Sequence, residues 1–167
     1  MKLEFLPVTG PSQIEQLAAL AEEIWREHFT PLLEPGQVDY MLDKFQSVRA
    51  MTEQLKTGGY RYFFLLAEGE PVGYTGVKPE EGKLFLSKLY VRAQDRGKGY
   101  ASQAFAFLEG ICRKENLSAI WLTVNRYNDV PIAVYQKKGF VTVREQVADI
   151  GNGYVMDDYI MEKTIDR

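Results

Sequence analysis

The stretch from Lys83 to Val124 constrains this chain most, because it lays down a strand, a glycine-punctuated connection, a helix and a second strand in succession. Lys83 to Val91 is a strand-length apolar run. Ala101, Ala104, Phe105, Leu108, Ile111 and Cys112 then recur at helical spacing, which predicts a helix over Lys98 to Lys114. Ile120 to Val124 is a second apolar strand. A strand that hands over to a helix and then to another strand is the building unit of an α/β fold.

The flanking segments fit that class. Leu3 to Val8 reads as a first strand, and Ser12 with Glu15 has the spacing of a capping box. Ile14, Leu17, Ala18, Ala21, Ile24, Trp25 and His28 form the apolar stripe of a long helix, which Pro31 and the Pro35-Gly36 pair interrupt. Two shorter helices are expected over Gln37 to Phe45 and Val48 to Lys56, with Gly58-Gly59 as the stop. Tyr60 to Glu68 and Val72 to Val77 read as a hairpin across Gly69-Glu70-Pro71. A short helix over Asp129 to Lys138 ends at Gly139, and Phe140 to Ile150 pairs with Tyr154 to Lys163 around Gly151-Asn152-Gly153. No repeat, low-complexity segment or linker interrupts the 167 residues, so one domain over 1–167 is expected.

Composition removes several function classes. A formal net charge of −3 gives no basic footprint for nucleic acid. One histidine and one cysteine leave the usual zinc spacings absent, so no metal is expected. The lone Cys112 cannot form an intrachain disulfide, and it falls on an apolar helix stripe, which favours a small core residue over a Cys-His28 dyad. With neither a signal-peptide pattern at Met1 to Phe5 nor a run of 18 apolar residues, a cytoplasmic location without membrane contact is expected.

The connection after Val91 carries the chemistry. It reads Arg92-Ala93-Gln94-Asp95-Arg96-Gly97-Lys98-Gly99-Tyr100-Ala101. Gly97 and Gly99 permit a tight turn and a close backbone approach, and the following helix aims its free amides and positive end at the same place. Arg96 and Lys98 add charge. The combination suits a pyrophosphate. A Walker A loop would need Gly-Lys-Ser or Gly-Lys-Thr, and a dinucleotide fingerprint would need a third glycine where Ser102 stands. Neither is present.

Downstream, Asn125-Arg126-Tyr127-Asn128 follows the second strand, and then come Ala133, Tyr135, Lys137, Gly139 and Phe140. Taken with the loop, this arrangement closely resembles the GNAT acetyltransferase superfamily. Its cofactor motif, Gln/Arg-x-x-Gly-x-Gly/Ala, is matched by Gln94, Gly97 and Gly99, and its later motif by Asn128, Ala133, Tyr135, Gly139 and Phe140. The resemblance covers about Tyr60 to Lys163. The segments His28 to Leu32 and Gln37 to Leu42 resemble, more loosely, the branch that includes polyamine acetyltransferases.

The resemblance implies a mixed, mostly antiparallel sheet, splayed at the cofactor strand and flanked by helices. It implies acetyl transfer from acetyl-CoA to a small primary amine such as a polyamine, by direct attack in a ternary complex. Backbone groups of Leu89, Tyr90 and Val91 would hold the pantetheine arm. The amides of Arg96, Gly97, Lys98, Gly99, Tyr100 and Ala101 would hold the pyrophosphate, joined by the Ser102 hydroxyl. Asn128 would bond the amide arm or cap the next helix, and Tyr135 would protonate the departing thiolate.

Some relatives place a glutamate on the strand before the loop, but Leu84 to Val91 holds no carboxylate. The general base is therefore left among His28, Glu68 and Tyr40. That gap also motivates a second reading, a non-catalytic acyl-CoA sensor. Peptide or protein N-acetylation is a third. A homodimer is compatible with all three.

Overall fold

The computed structural model describes residues 2–166. Seven strands and five helices follow in the order β1 (Glu4–Pro7), α1 (Pro11–Phe29), α2 (Pro35–Phe45), α3 (Val48–Lys56), β2 (Arg61–Ala67), β3 (Glu70–Glu80), β4 (Lys83–Val91), α4 (Tyr100–Glu115), β5 (Ala119–Asn125), α5 (Asp129–Lys137), β6 (Val141–Gly151) and β7 (Tyr154–Thr164). A 3-10 turn, Ala93–Asp95, lies between β4 and α4. The strands form one sheet in the order β1-β2-β3-β4-β5-β7-β6. Only the β4–β5 pairing is described as parallel, and it covers Leu84↔Ile120, Phe85↔Trp121 and Leu86↔Leu122, although β4 runs on to Val91 and β5 to Asn125. The sheet is thus mixed and mostly antiparallel, and the parallel β4–β5 ladder stops midway along β4.

The chain resolves into two compact units, Met1–Lys78 with Lys88–Leu108, and Pro79–Ser87 with Glu109–Arg167. In the first unit, Ile14, Leu17, Ala21 and Ile24 of α1 are buried with Met51, Tyr62, Phe64 and Tyr74. The α1 stripe packs as its spacing predicts. A second cluster joins Leu3, Leu65, Ala67 and Val72 to Tyr100 and Ala104 at the start of α4. Phe107 of α4 stacks on Phe5 at 4.2 Å between centroids, and Gln103 accepts the Leu3 amide at 2.7 Å, so the first two turns of α4 are fastened to β1.

In the second unit, Ile120 and Leu122 of β5 are buried, as are Ile160 and Met161 of β7 and Phe140. Cys112 is fully buried, and that burial pushes its thiol up to about 11. It is the core residue expected from its place on the stripe.

Several local expectations differ from the structure, and strand β3 runs Glu70–Glu80 where Val72 to Val77 was expected, taking in Glu70 and Pro71 of the expected turn. Ser12 does not cap α1: Gly10 is the N-cap without a side-chain bond, and Gln13 Oε1 instead accepts the Thr9 amide at 2.7 Å. Pro11 takes the first helical position, where its missing donor costs nothing, and this moves the start one residue ahead of Ser12. Helix α2 likewise starts at Pro35, two residues ahead of the expected Gln37, with the proline in its first turn. Helix α4 begins at Tyr100, two residues later than expected, because Gly97 and Gly99 have φ of +79° and +80° and cannot belong to a right-handed turn.

Candidate active site

The loop between β4 and α4 is built from local constraints. Arg92 leaves the strand with its amide bonded to Val72 O at 2.8 Å, and the 3-10 turn brings Asp95 back beneath it. The buried Asp95 carboxylate takes Arg92 Nε at 2.9 Å on one oxygen and Lys98 Nζ at 3.4 Å on the other. Asp95 therefore ties the loop's entry to its exit. Arg96 reaches back to Val91 O at 3.3 Å, and Ala93 N–H donates to Glu27 Oε1 of α1 at 3.4 Å. A Cβ built on Gly97 or Gly99 would meet nothing within 4 Å, so no packing demand excludes a side chain there. The positive φ values set the glycine requirement, and the bare, exposed backbone beside α4 is what an anionic group needs in order to approach.

Leu89, Tyr90 and Val91 are the last three residues of β4 before this loop and are all partly buried. Their position is set by Gly73 of β3, where a Cβ would stand 2.2 Å from Tyr90 O and 3.0 Å from Val91 Cα. Only glycine lets the two backbones come this close. Thr75 adds a bond from its hydroxyl to Lys88 O at 2.7 Å.

Tyr90 also faces an aromatic group from α1. Its ring lies 5.9 Å from Trp25, 6.2 Å from Phe29 and 5.9 Å from His28, with Tyr74 at 5.8 Å. His28 is half-buried, and its ring meets Phe29 edge-on at 4.7 Å. Burial holds the imidazole below its usual range, and the charge of Arg96 lowers it further. Behind these rings runs a hydrogen-bonded chain that sequence reasoning did not find. Trp25 Nε1 donates to Tyr74 OH at 2.7 Å, Tyr74 donates to Gln46 Oε1 at 2.7 Å, and Gln46 Nε2 donates to Tyr62 OH at 3.1 Å. Tyr62 closes the series by donating to Gln54 Oε1 at 2.6 Å. Burial raises both phenols above the usual tyrosine range. Gln46 and Gln54 carry no periodic signal, which is why they escape a reading based on apolar spacing.

Asn128 and Tyr135 belong to the second unit. Asn128 takes the N-cap position of α5 without a side-chain capping bond, while its carbonyl accepts Ile132 N–H at 3.2 Å. Tyr135 lies near the end of α5, its ring 5.8 Å from Phe140, and the Phe140 amide donates to Tyr135 O at 3.0 Å. Burial pushes the Tyr135 phenol up to about 12, so at neutral pH it keeps its proton. Ser102 is exposed in the first turn of α4. Among the described residues, no cluster of histidine, cysteine or carboxylates could hold a metal. None of the helices formed by those residues is long and apolar enough to cross a membrane.

A strand–loop–helix whose connection leaves bare backbone before the helix suits an anionic group. A model of the acetyltransferase (GNAT) family matches residues 17–140. The chain belongs to that family and is an N-acetyltransferase. It is 22% identical to an uncharacterised N-acetyltransferase of Lactobacillus delbrueckii subsp. lactis, across 91% of this chain and 92% of that one. The PaiA N-acetyltransferase of Thermoplasma acidophilum, solved in complex with coenzyme A, superimposes with a TM-score of 0.79 at 20% identity, covering 98% and 99% of the two chains. An aminoglycoside 6'-acetyltransferase type Ii superimposes with a TM-score of 0.65 at 21% identity, over 100% and 99%.

Proposed function

We propose that the protein transfers the acetyl group of acetyl-CoA to a small primary amine, a polyamine being the favoured type. The observation that carries the reading is the loop at Gly97 and Gly99, whose two positive-φ glycines leave the backbone before α4 open to a pyrophosphate. The structural likeness to a transferase that binds coenzyme A supports the cofactor. The likeness to an aminoglycoside-modifying enzyme supports a small amine acceptor.

The start of α4 at Tyr100 sharpens the motif. The pattern Gln/Arg-x-x-Gly-x-Gly/Ala fits Arg96-Gly97-Lys98-Gly99-Tyr100-Ala101 as well as it fits Gln94 to Gly99. In that register its last two positions fall at the helix start, where orphan amides are found. The amides of Arg96 to Ala101 then hold the pyrophosphate, and the Ser102 hydroxyl adds a donor. Leu89, Tyr90 and Val91 present strand backbone to the pantetheine arm and polarise the thioester carbonyl. Asn128 bonds the amide arm. Tyr135 gives its proton to the thiolate as the C–S bond breaks. We read both units as parts of one catalytic domain, and the lone buried thiol suits a reducing cytoplasm.

The test is to follow free thiol while acetyl-CoA and the protein are mixed with polyamines, aminoglycosides, amino acids or peptides. Release stimulated by small diamines and polyamines is expected. Release only with peptides would replace the small-amine reading with protein N-acetylation. CoA binding with no release across the panel would favour the non-catalytic sensor.

A further inference from the structure

We propose that His28 is the group that takes the proton from the acceptor amine, an inference that rests on the acetyl-transfer reading above. The reaction needs such a group, because a primary amine with a pKa near 10.4 is almost wholly protonated at neutral pH. Strand β4 offers no carboxylate between Leu84 and Val91. The structure brings the chain's single histidine to that strand from another element: His28, in the last turn of α1, lies ring to ring with Tyr90 at 5.9 Å. Tyr90 is the middle residue of the stretch assigned to the thioester.

The other candidates are occupied elsewhere. Glu68 is exposed in the β2–β3 turn with φ of +52°, a site shaped by the turn. Tyr40, on α2, has the Lys44 ammonium over its ring at 5.6 Å and would have to ionise before accepting a proton. Glu27, next to His28 on α1, is turned to the Ala93 amide. Lys88, also on β4, lies over Trp25 at 5.7 Å, and Arg96 is permanently cationic. The groups that bear on the imidazole include the Arg96 charge and the Tyr90 phenol, with Phe29 at its edge. Burial first, and the Arg96 charge second, hold the imidazole below its usual range, which favours its neutral form at neutral pH.

The step balances as follows. An ammonium proton passes to His28 and from there to solvent, and the freed amine attacks the thioester carbon to form the N–C bond. As the C–S bond breaks, Tyr135 protonates the sulfur, and the proton still on nitrogen restores the phenol. Ammonium and thioester become amide, thiol and one released proton.

A single histidine makes the test direct, since one imidazole signal can be followed by NMR across pH. In the free protein that signal should titrate below 6.5, and the acid limb of kcat/KM should share its midpoint, with activity lost as pH falls through it. His28→Gln should lower kcat about 10²–10⁴-fold and abolish the limb, while acetyl-CoA affinity stays within about twofold. His28→Phe keeps a ring against Phe29 and Tyr90 and should behave alike, so loss of packing is separated from loss of the base. Transfer that persists in both variants with the acid limb intact overturns the proposal, as does a limb whose midpoint differs from that of the imidazole. A wild-type protein that binds acetyl-CoA and acetylates no amine overturns the acetyl-transfer reading itself.

Discussion

The loop before α4 and the helix α5 differ sharply in how they are held. The loop is fixed from several sides: Asp95 bridges Arg92 and Lys98, Gly73 brings β3 onto Tyr90, and Phe107 and Gln103 fasten α4 to β1. Helix α5 has nine residues and none of them is fully buried, and its N-cap side chain makes no capping bond. Few buried apolar contacts mean low local stability. Under the proposed function, the difference separates two kinds of task. Holding a pyrophosphate needs backbone donors fixed in advance, whereas giving up a proton needs one hydroxyl whose pKa is set by its surroundings.

The comparison predicts its own largest effect at Tyr135. Removing the hydroxyl as Tyr135→Phe should cost about 10²–10⁴-fold in kcat while acetyl-CoA affinity stays unchanged by calorimetry, because the proposal assigns the cofactor's anchor to the loop. An unchanged kcat would strip α5 of its chemical role. Because burial holds this phenol near 12, kcat should show no alkaline fall from Tyr135 as pH approaches 10.

Gly73→Ala strikes the other region. The new methyl would meet Tyr90 O at 2.2 Å, so the strands must part. A loss of about 1–3 kcal/mol in unfolding free energy is expected, measured by urea titration, together with weaker acetyl-CoA binding. Destabilisation with untouched affinity would uncouple strand position from the cofactor.

A smaller effect concerns alkaline stability. Tyr62 and Tyr74 have raised phenol pKa values in the folded state, so above pH 10 the unfolded chain releases protons that the folded chain retains. Stability is therefore fully present below about pH 10 and falls as pH rises beyond it. Thermal melts should show this slope in the wild type and a shallower one in Tyr74→Phe. Equal slopes would mean that the buried network opens in alkali.

The smallest effect is expected on β6, where Val147 is 67% exposed. Val147→Thr should change stability by no more than about 0.5 kcal/mol. A larger loss, or a change in sedimentation, would reveal packing on that face.

Much of this was legible from the order of residues. The boundaries of α3 and β4 follow directly from periodicity, because each is closed by turn residues: Gly58-Gly59 after α3, Glu81-Gly82 before β4. The start of α1 was not, since Ser12 with Glu15 and Pro11 offer rival signals one residue apart and only the chain's entry angle decides. The loop's glycines were visible, but the clamp beneath them was not. Asp95 reads as one more polar loop residue until the 3-10 turn folds it under Arg92. Gly73 carried a faint signal, a glycine inside an apolar strand, yet its partner at Tyr90 is remote in sequence. His28 was visible as the last member of a helix stripe, and its neighbours Tyr90 and Arg96 emerge only when α1 packs beside β4.

The central claim is that acetyl-CoA rests on the bare backbone before α4. Titration calorimetry of acetyl-CoA into the wild type and into Gly99→Val tests it directly, with thermal melts confirming that the variant is folded. At φ of +80°, valine must distort the loop and place a side chain where the pyrophosphate is assigned. The account predicts one-to-one binding by the wild type and an affinity at least about tenfold weaker in the folded variant, a change of 1.4 kcal/mol or more. Equal affinities in the two proteins would contradict it.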